Sequence, residues 1–391
     1  MNVLVVTQYF LPQPLANAET IGAIVSGLGA RGHEVHVVTP AKGEVELSGV
    51  TVHHSLGYFA PDRSSKVKRA LEYLSFSAGA LLAALMAPRP DVVLVPSPPP
   101  TLGIVGLVVA GLKRAPLVYN VQDLYPEVAI ATGAVKPGLP MRLLARALRL
   151  VYRRAGAVVV IDPVFVDAIN RVDPSAHVHA VRNGIDLGPF EGAERDPRYL
   201  AEIGVPDGAK VVMYAGNVGR SQDLDAVIEA TAAAGCHLVI HGGGAKLEEV
   251  RADVRRRRLD HVHFSAFRPR EELGKVFASA DLHMVPLKPD IASSSVPSKL
   301  LSIFAAGRPA VVAAEADSAT AEVLVASGAG WLVPPGDAEA MTTAIEEAFA
   351  DDADRGERGR RGRSWVLANG GMDRCAAEYE AVLAEVAGRA G

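Results

Sequence analysis

What this 391-residue sequence has little of narrows it quickly. Only two cysteines occur, Cys236 and Cys375, far apart and in no CxxC or Cys/His spacing. That argues against a disulfide framework and against a structural zinc site; both read as buried small hydrophobes in a reducing cytoplasm. Aromatic residues make up 5% and the formal net charge is −4, so the overall balance does not draw the chain to nucleic acid. The uncharged run Tyr73–Ala87 is shorter than the roughly 20 residues a membrane span needs. The sequence opens on the strand-like Val3–Val6 rather than on a cationic segment and an apolar one, which argues against a secretory signal.

What is present is 49% hydrophobic and 21% charged, ordinary for a globular enzyme, and the length favours two domains. Short β-branched runs alternate with Ala- and Leu-rich helical stretches. The runs are Val3–Val6, Val35–Val38, Val92–Val95, Leu117–Val121 and Val158–Ile161, then Val211–Tyr214, His237–Ile240, Val262–Phe264, Leu282–Val285 and Ala310–Ala313. Continuous apolar runs suit parallel strands covered on both faces. Two such series predict an α/β chain of two doubly wound Rossmann-like domains facing a cleft. The seam is expected after Asn183-Gly184-Ile185-Asp186, where Pro189, Gly192 and Pro197 interrupt any periodicity. This puts the first domain at residues 1–187 and the second at 188–371. The tail from about Met372 to Ala387 reads as a helix.

Ligands on open α/β sheets bind beyond the C-terminal strand ends. In the second half the turn Tyr214–Gln222 lies there. Its Gly216 and Gly219 would let backbone amides approach an anion, with Asn217, Arg220 and Gln222 as donors. The alternative is a tight turn with no ligand. A second turn, His241-Gly242-Gly243-Gly244, follows the next strand. Ser293–Ser298, with Pro297, reads as a helix start. Lys299 then sits where the helix dipole disfavours a cation by roughly 0.3–1 kcal/mol. A bound diphosphate would reverse that cost; a solvated lysine would tolerate it.

These residues also resemble a known family. Pro297-Ser298-Lys299-Leu300-Leu301 followed by Ala305-Ala306-Gly307-Arg308-Pro309 is similar to the donor-site helix of glycosyltransferase family 4. Gly216–Arg220, Asn183–Asp186 and Gly330–Gly336 look like its other landmarks, over nearly the whole chain. The nearest likeness is to bacterial surface-polysaccharide transferases, often with amino-sugar donors. The resemblance implies a GT-B fold, a nucleotide-diphosphate sugar as substrate, retention of configuration, no metal and no cofactor. It also implies a C-terminal helix, 372–391, crossing back onto the first domain. By position, the Phe267-Arg268 backbone would border the nucleobase, and Ser295, Val296, Pro297 and Ser298 the donor phosphates. Many members carry two glutamates that contact sugar and ribose; those positions here are Ser294 and Ser302.

In the first half, Thr7–Pro14 and Ser97-Pro98-Pro99-Pro100-Thr101 are loops expected at the cleft. Asn120–Glu127 places two carboxylates past a buried strand, where a base or an acceptor-orienting group belongs. Asp123 is the first candidate and Glu127 its competitor; a turn-capping Asp123 is the plain alternative. His33, His36, His53 and His54 lack metal-ligand spacing. Basic stretches around Lys66–Arg69, Lys113-Arg114 and the arginines of Met141–Arg154 suggest peripheral contact with the inner face of the cytoplasmic membrane.

The expected activity is transfer of a sugar, UDP-linked and of N-acetylamino type, to a hydroxyl of a lipid-linked or small-molecule acceptor. The alternatives are a nucleotide-sugar epimerase, a lapsed nucleotide-sugar-binding protein and a secondary-metabolite glycosyltransferase.

Overall fold

The computed structural model describes residues 1–13, 15–56, 66–126, 138–219, 221–288 and 298–390. They form two compact units: Met1–Gly184 with Met372–Gly391, and Ile185–Gly371.

The first unit is built on β1 (Asn2–Val6), β2 (Glu34–Thr39), β3 (Val50–His54), β4 (Val92–Pro96), β5 (Leu117–Val121), β6 (Ala157–Val160) and β7 (Val178–Ala180). All neighbours pair in parallel, in the order β3-β2-β1-β4-β5-β6-β7. The second is built on β8 (Val211–Asn217), β9 (His237–Gly243), β10 (Val262–Ser265), β11 (Leu282–Pro286), β12 (Ala310–Ala313) and β13 (Gly330–Val333). Its order, β10-β9-β8-β11-β12-β13, repeats the first six positions of the other sheet. The alternation of apolar runs and helices therefore folds as the expected pair of doubly wound sheets.

Valine-rich runs make this arrangement because each strand feeds two cores. On one face of the first sheet Leu4, Val93, Tyr119 and Val158 meet Phe76, Val109 and Val151 from the covering helices. On the other, Val3, Leu94, Val118 and Val159 meet Ile24 and Leu28. The C-terminal helix Met372–Ala390 adds Tyr379, Leu383 and Val386 to that second core. It lies close on the helix Ala16–Ala30, since a Cβ at Gly27 would stand 2.4 Å from the Ala376 methyl. Arg31 donates to the Asp373 carbonyl at 2.8 Å, and His33 meets Glu380 at 2.7 Å. The second sheet is likewise sandwiched between two cores. Cys236 and Cys375 are both buried and unpaired.

Candidate functional site

In each sheet the winding reverses direction once, between β1 and β4 and between β8 and β11. A crevice opens at the C-terminal strand ends at such a switch point. In the second unit the loops leaving β8 and β11 are tied together there. Asp223 donates to the Pro286 carbonyl and Lys288 to that of Ser221, both at 3.1 Å, and Gln222 bridges Leu287. Gly216, at the end of β8, stands beside Lys299 of the helix Ser298–Ala305, which also carries Ser302. Glu127, Arg220, Ser294, Ser295, Val296 and Pro297 lie outside the described residues, as does the side chain of Ser298.

Lys299 is not the solvated lysine of the plain alternative. Its Nζ donates to the Tyr214 hydroxyl at 3.2 Å and sits 4.4 Å from the centre of that ring. Burial lowers its ammonium to about 8. Tyr214 is fully buried, and burial raises its phenol well above the usual range. That hydroxyl is spoken for, donating to the Asn217 carbonyl at 2.6 Å. Among the described residues no carboxylate pairs with Lys299. A cation removed from water, held by an aromatic face and one hydroxyl, retains an unmet demand for negative charge. Ser302, half-buried and three residues on, lies on the same side of the helix.

The glycine turns behave differently from the open cradle of amides expected. The Val218 amide donates to the Gly243 carbonyl at 2.7 Å, and that of Gly219 to Gln222 Oε1 at 3.0 Å, so both are spent inside the turn. Gln222 thus serves the turn with its acceptor, and Asn217 is left exposed. Gly242 and Gly243 belong to β9 rather than to a loop. Gly242 takes φ +134°, and a Cβ there would fall 2.1 Å from the Gly216 carbonyl oxygen. Gly216, at φ +131°, faces the Lys299 ammonium, 3.6 Å from where its Cβ would stand. The glycines allow two strand ends and a lysine to crowd together.

His241 is buried within β9, not displayed in a turn. Its Nδ1 meets Ser265 Oγ at 3.1 Å, while Nε2 is buried without a partner. Burial first, and the Arg268 charge second, lower it to about 4, so it is neutral at pH 7. Phe267 is 65% exposed, stands edge-on to His241 and covers Gly243. The Arg268 guanidinium is engaged by Glu202 and lies over the Tyr199 ring at 5.8 Å. Only its backbone is left for the role expected of it.

In the first unit Asp123 follows β5, half-buried, with its carboxyl raised by burial. Behind it runs a network that the sequence did not announce. Asn120 Nδ2 donates to the Tyr379 hydroxyl at 2.5 Å, and Gln122 Nε2 to Asn120 Oδ1 at 2.6 Å. Asn183 Nδ2 donates to Gln122 Oε1 at 2.7 Å, and the Gln122 amide to Ser97 Oγ at 3.2 Å. Gln8, on the loop after β1, is buried and donates to the buried Glu72 carboxylate at 2.8 Å. Thr7, Gln8, Tyr9 and Phe10, at the start of that loop, are all buried. His36 and His53 pair with each other at 3.1 Å, and no group of three metal-ligating side chains occurs among the described residues. Arg149 and Arg153 both hold the buried Asp173, so two of the predicted basic side chains serve the fold.

Known proteins match this arrangement throughout. Residues 18–184 match the model of the glycosyl transferase 4-like domain, and residues 196–365 that of glycosyl transferases group 1. A putative colanic acid biosynthesis glycosyl transferase, WcaI of Escherichia coli K12, is 25% identical over 89% of this chain and 92% of its own. A GDP-mannose-dependent alpha-mannosyltransferase of Mycobacterium tuberculosis is 25% identical over 72% of each. Among solved structures, Anabaena HepE in complex with UDP-glucose superimposes with a TM-score of 0.72 and 16% identity, covering 98% of this chain and 100% of that one. The chain is a glycosyltransferase of the GT-B fold, with a family 4-like domain followed by a group 1 domain.

Proposed function

We propose that the chain transfers a sugar from a nucleoside diphosphate donor to a hydroxyl of a lipid-linked or small-molecule acceptor in polysaccharide biosynthesis, with retention and without a metal. The observation that carries this reading is Lys299: a half-buried cation at the β8/β11 switch point held by the Tyr214 hydroxyl and ring, with no carboxylate beside it among the described residues. A diphosphate supplies the charge it lacks. In the transition state, negative charge grows on the leaving phosphate oxygen, and a preformed cation there stabilises it without reorganisation. The start of the helix Ser298–Ala305 adds its dipole to the same anion. Asn217 and the hydroxyl of Ser302 are the polar groups nearest at hand for the donor, and neutral His241 offers its free Nε2 to a hydroxyl.

For retention, the leaving diphosphate itself takes the acceptor proton, and Asp123 orients the acceptor hydroxyl or shares that proton. Its raised affinity for a proton suits either task. Peripheral contact with the membrane belongs to this reading wherever the acceptor is lipid-linked. HepE, solved with UDP-glucose, favours a UDP donor, while the mannosyltransferase named for GDP-mannose supports GDP as the second reading.

A thermal-shift panel of UDP, GDP, TDP and their sugars tests the proposal. One base should raise the midpoint by several degrees and the other two by much less. No shift with any of them would remove the donor site from the second unit.

A further inference from the structure

We infer that the outer face of three helices in the first unit is a docking surface for an anionic lipid bilayer. The helices are Lys66–Met86, Leu102–Lys113 and Leu139–Arg154, and they lie side by side over one face of the first sheet. Ser77 and Thr101 join the first two at 2.9 Å. Their inner residues, among them Phe76, Val109 and Val151, fill the core.

The opposite side of each helix is apolar and bare. On the first, Leu71, Leu74 and Leu82 fall on one stripe; on the second, Ile104, Val108 and Leu112 do the same. On the third the stripe is Leu139, Leu143 and Leu150. Of the sixteen large apolar side chains exposed among the described residues, eleven belong to these three helices. Soluble surfaces rarely gather so much in one place without a partner.

Charge selects the partner. The three helices contain one acidic residue, Glu72, and it is buried. Arg142 and Arg146 flank the third stripe and are exposed. Between the second and third helices a cavity of about 500 Å³ opens, walled by Leu107, Leu117 and Leu150 and rimmed by Arg114 and Arg154. Greasy walls under a guanidinium rim match an amphiphile with an anionic head. A second copy of the chain would set this cationic face against itself, so a symmetric dimer is opposed by repulsion. No helix among the described residues is long and apolar enough to cross a membrane, which leaves lying on the surface. The inference deepens the proposed function, on which its purpose rests: a lipid-linked acceptor would be met at the surface that holds it.

Co-sedimentation of the full chain with phosphatidylcholine vesicles, with and without phosphatidylglycerol, tests it. The chain should partition onto the vesicles containing phosphatidylglycerol and be released by salt. The combined variant Leu74→Glu, Val108→Glu, Leu143→Glu, all at exposed positions, should lower that partition at least about tenfold. Arg142→Ser with Arg146→Ser should remove most of the preference for phosphatidylglycerol. Absence of the wild-type chain from the vesicles containing phosphatidylglycerol would overturn the inference. So would a wild-type dimer in light scattering that the leucine variant converts to monomer with vesicle binding unchanged. UDP thermal shifts measured on the same variants without vesicles keep the two proposals apart. A normal UDP shift without vesicle binding sinks the docking surface alone, and vesicle binding without any nucleotide shift sinks the donor site alone.

Discussion

The two units repeat one strand order yet carry different polar groups at the ends of their inner strands. At the strand ends of the first, Asn120, Gln122, Asn183 and Tyr379 answer one another with matched donors and acceptors. At the same place in the second, the Nε2 of His241 is buried without a partner, and the half-buried Lys299 reaches the Tyr214 hydroxyl but no carboxylate among the described residues. A satisfied network holds a loop in shape, whereas an unsatisfied cation is stability forgone for the sake of a ligand. The exteriors differ as well. The first unit exposes apolar stripes on neighbouring helices, while among the described residues the second exposes Phe267, Val325 and Leu367 as its large apolar side chains.

The largest effect that would break this contrast is at Lys299. Lys299→Ala should lower sugar transfer by about 100-fold or more, the usual cost of one preorganised charge-stabilising group, while circular dichroism stays unchanged. Lys299→Met, which keeps the stem and removes the charge, should raise the midpoint of the unliganded protein. A lowered midpoint there would mean that Lys299 is structural.

Next in size is Gly242→Ala. Its Cβ would collide with the Gly216 carbonyl, from a backbone angle that alanine avoids, so denaturant unfolding should show a loss of about 2–4 kcal/mol. UDP affinity should fall with it. An alanine variant of ordinary stability would show that the β8 and β9 ends need not stand so close.

The pH dependence of nucleotide binding follows from the Lys299 ammonium. Its free-enzyme value is about 8, below the roughly 10.4 of an unfolded chain. The protonated form binds the diphosphate, so UDP affinity should be level near pH 7 and fall by up to about tenfold per unit above pH 8. Stability of the unliganded protein runs the other way. At Lys299 the unfolded chain holds more protons between about pH 8 and 10.4, so this residue's contribution to stability rises with pH there, against the opposite slope of Cys375, whose thiol burial raises to about 11. Calorimetry with wild type and Lys299→Met checks both, since the difference between the two proteins isolates the Lys299 contribution to each slope.

The smallest effect sharpens the other side. Tyr379→Phe removes the nearer acceptor of the Asn120 amide, leaving it the Val159 carbonyl at 3.4 Å, and should destabilise the protein by about 1–2 kcal/mol without altering UDP affinity. A loss of UDP affinity there would mean that the two networks are coupled.

Much of the fold was legible in the chain, and the exceptions share a cause. The strands that went unread, β3, β7 and β13, are all sheet edges. An edge strand has one neighbour and a wet side, so its residues need not be continuously apolar; β3 reads Val-Thr-Val-His-His, with none of them buried. Inner strands, covered on both faces, declare themselves through unbroken valines. The site divides in the same way. Lys299 stood out because a cation at a helix start is locally awkward, and the glycines because only they tolerate such backbone angles. Tyr214 looked like any strand residue. Asn120 and Tyr379 are 259 residues apart, so nothing local could join them.

The sequence by itself determined the class of fold, the two-part division and the lysine at the helix start, because each is written in local pattern or local strain. Tertiary structure decided what that lysine means. Packing against Tyr214 draws it partly out of water with no carboxylate beside it among the described residues, which makes it the cation that the proposed diphosphate would meet. Packing also spent the Val218 and Gly219 amides on the Gly243 carbonyl and the Gln222 side chain. And it laid three separately unremarkable helices side by side, so that scattered leucines became one face.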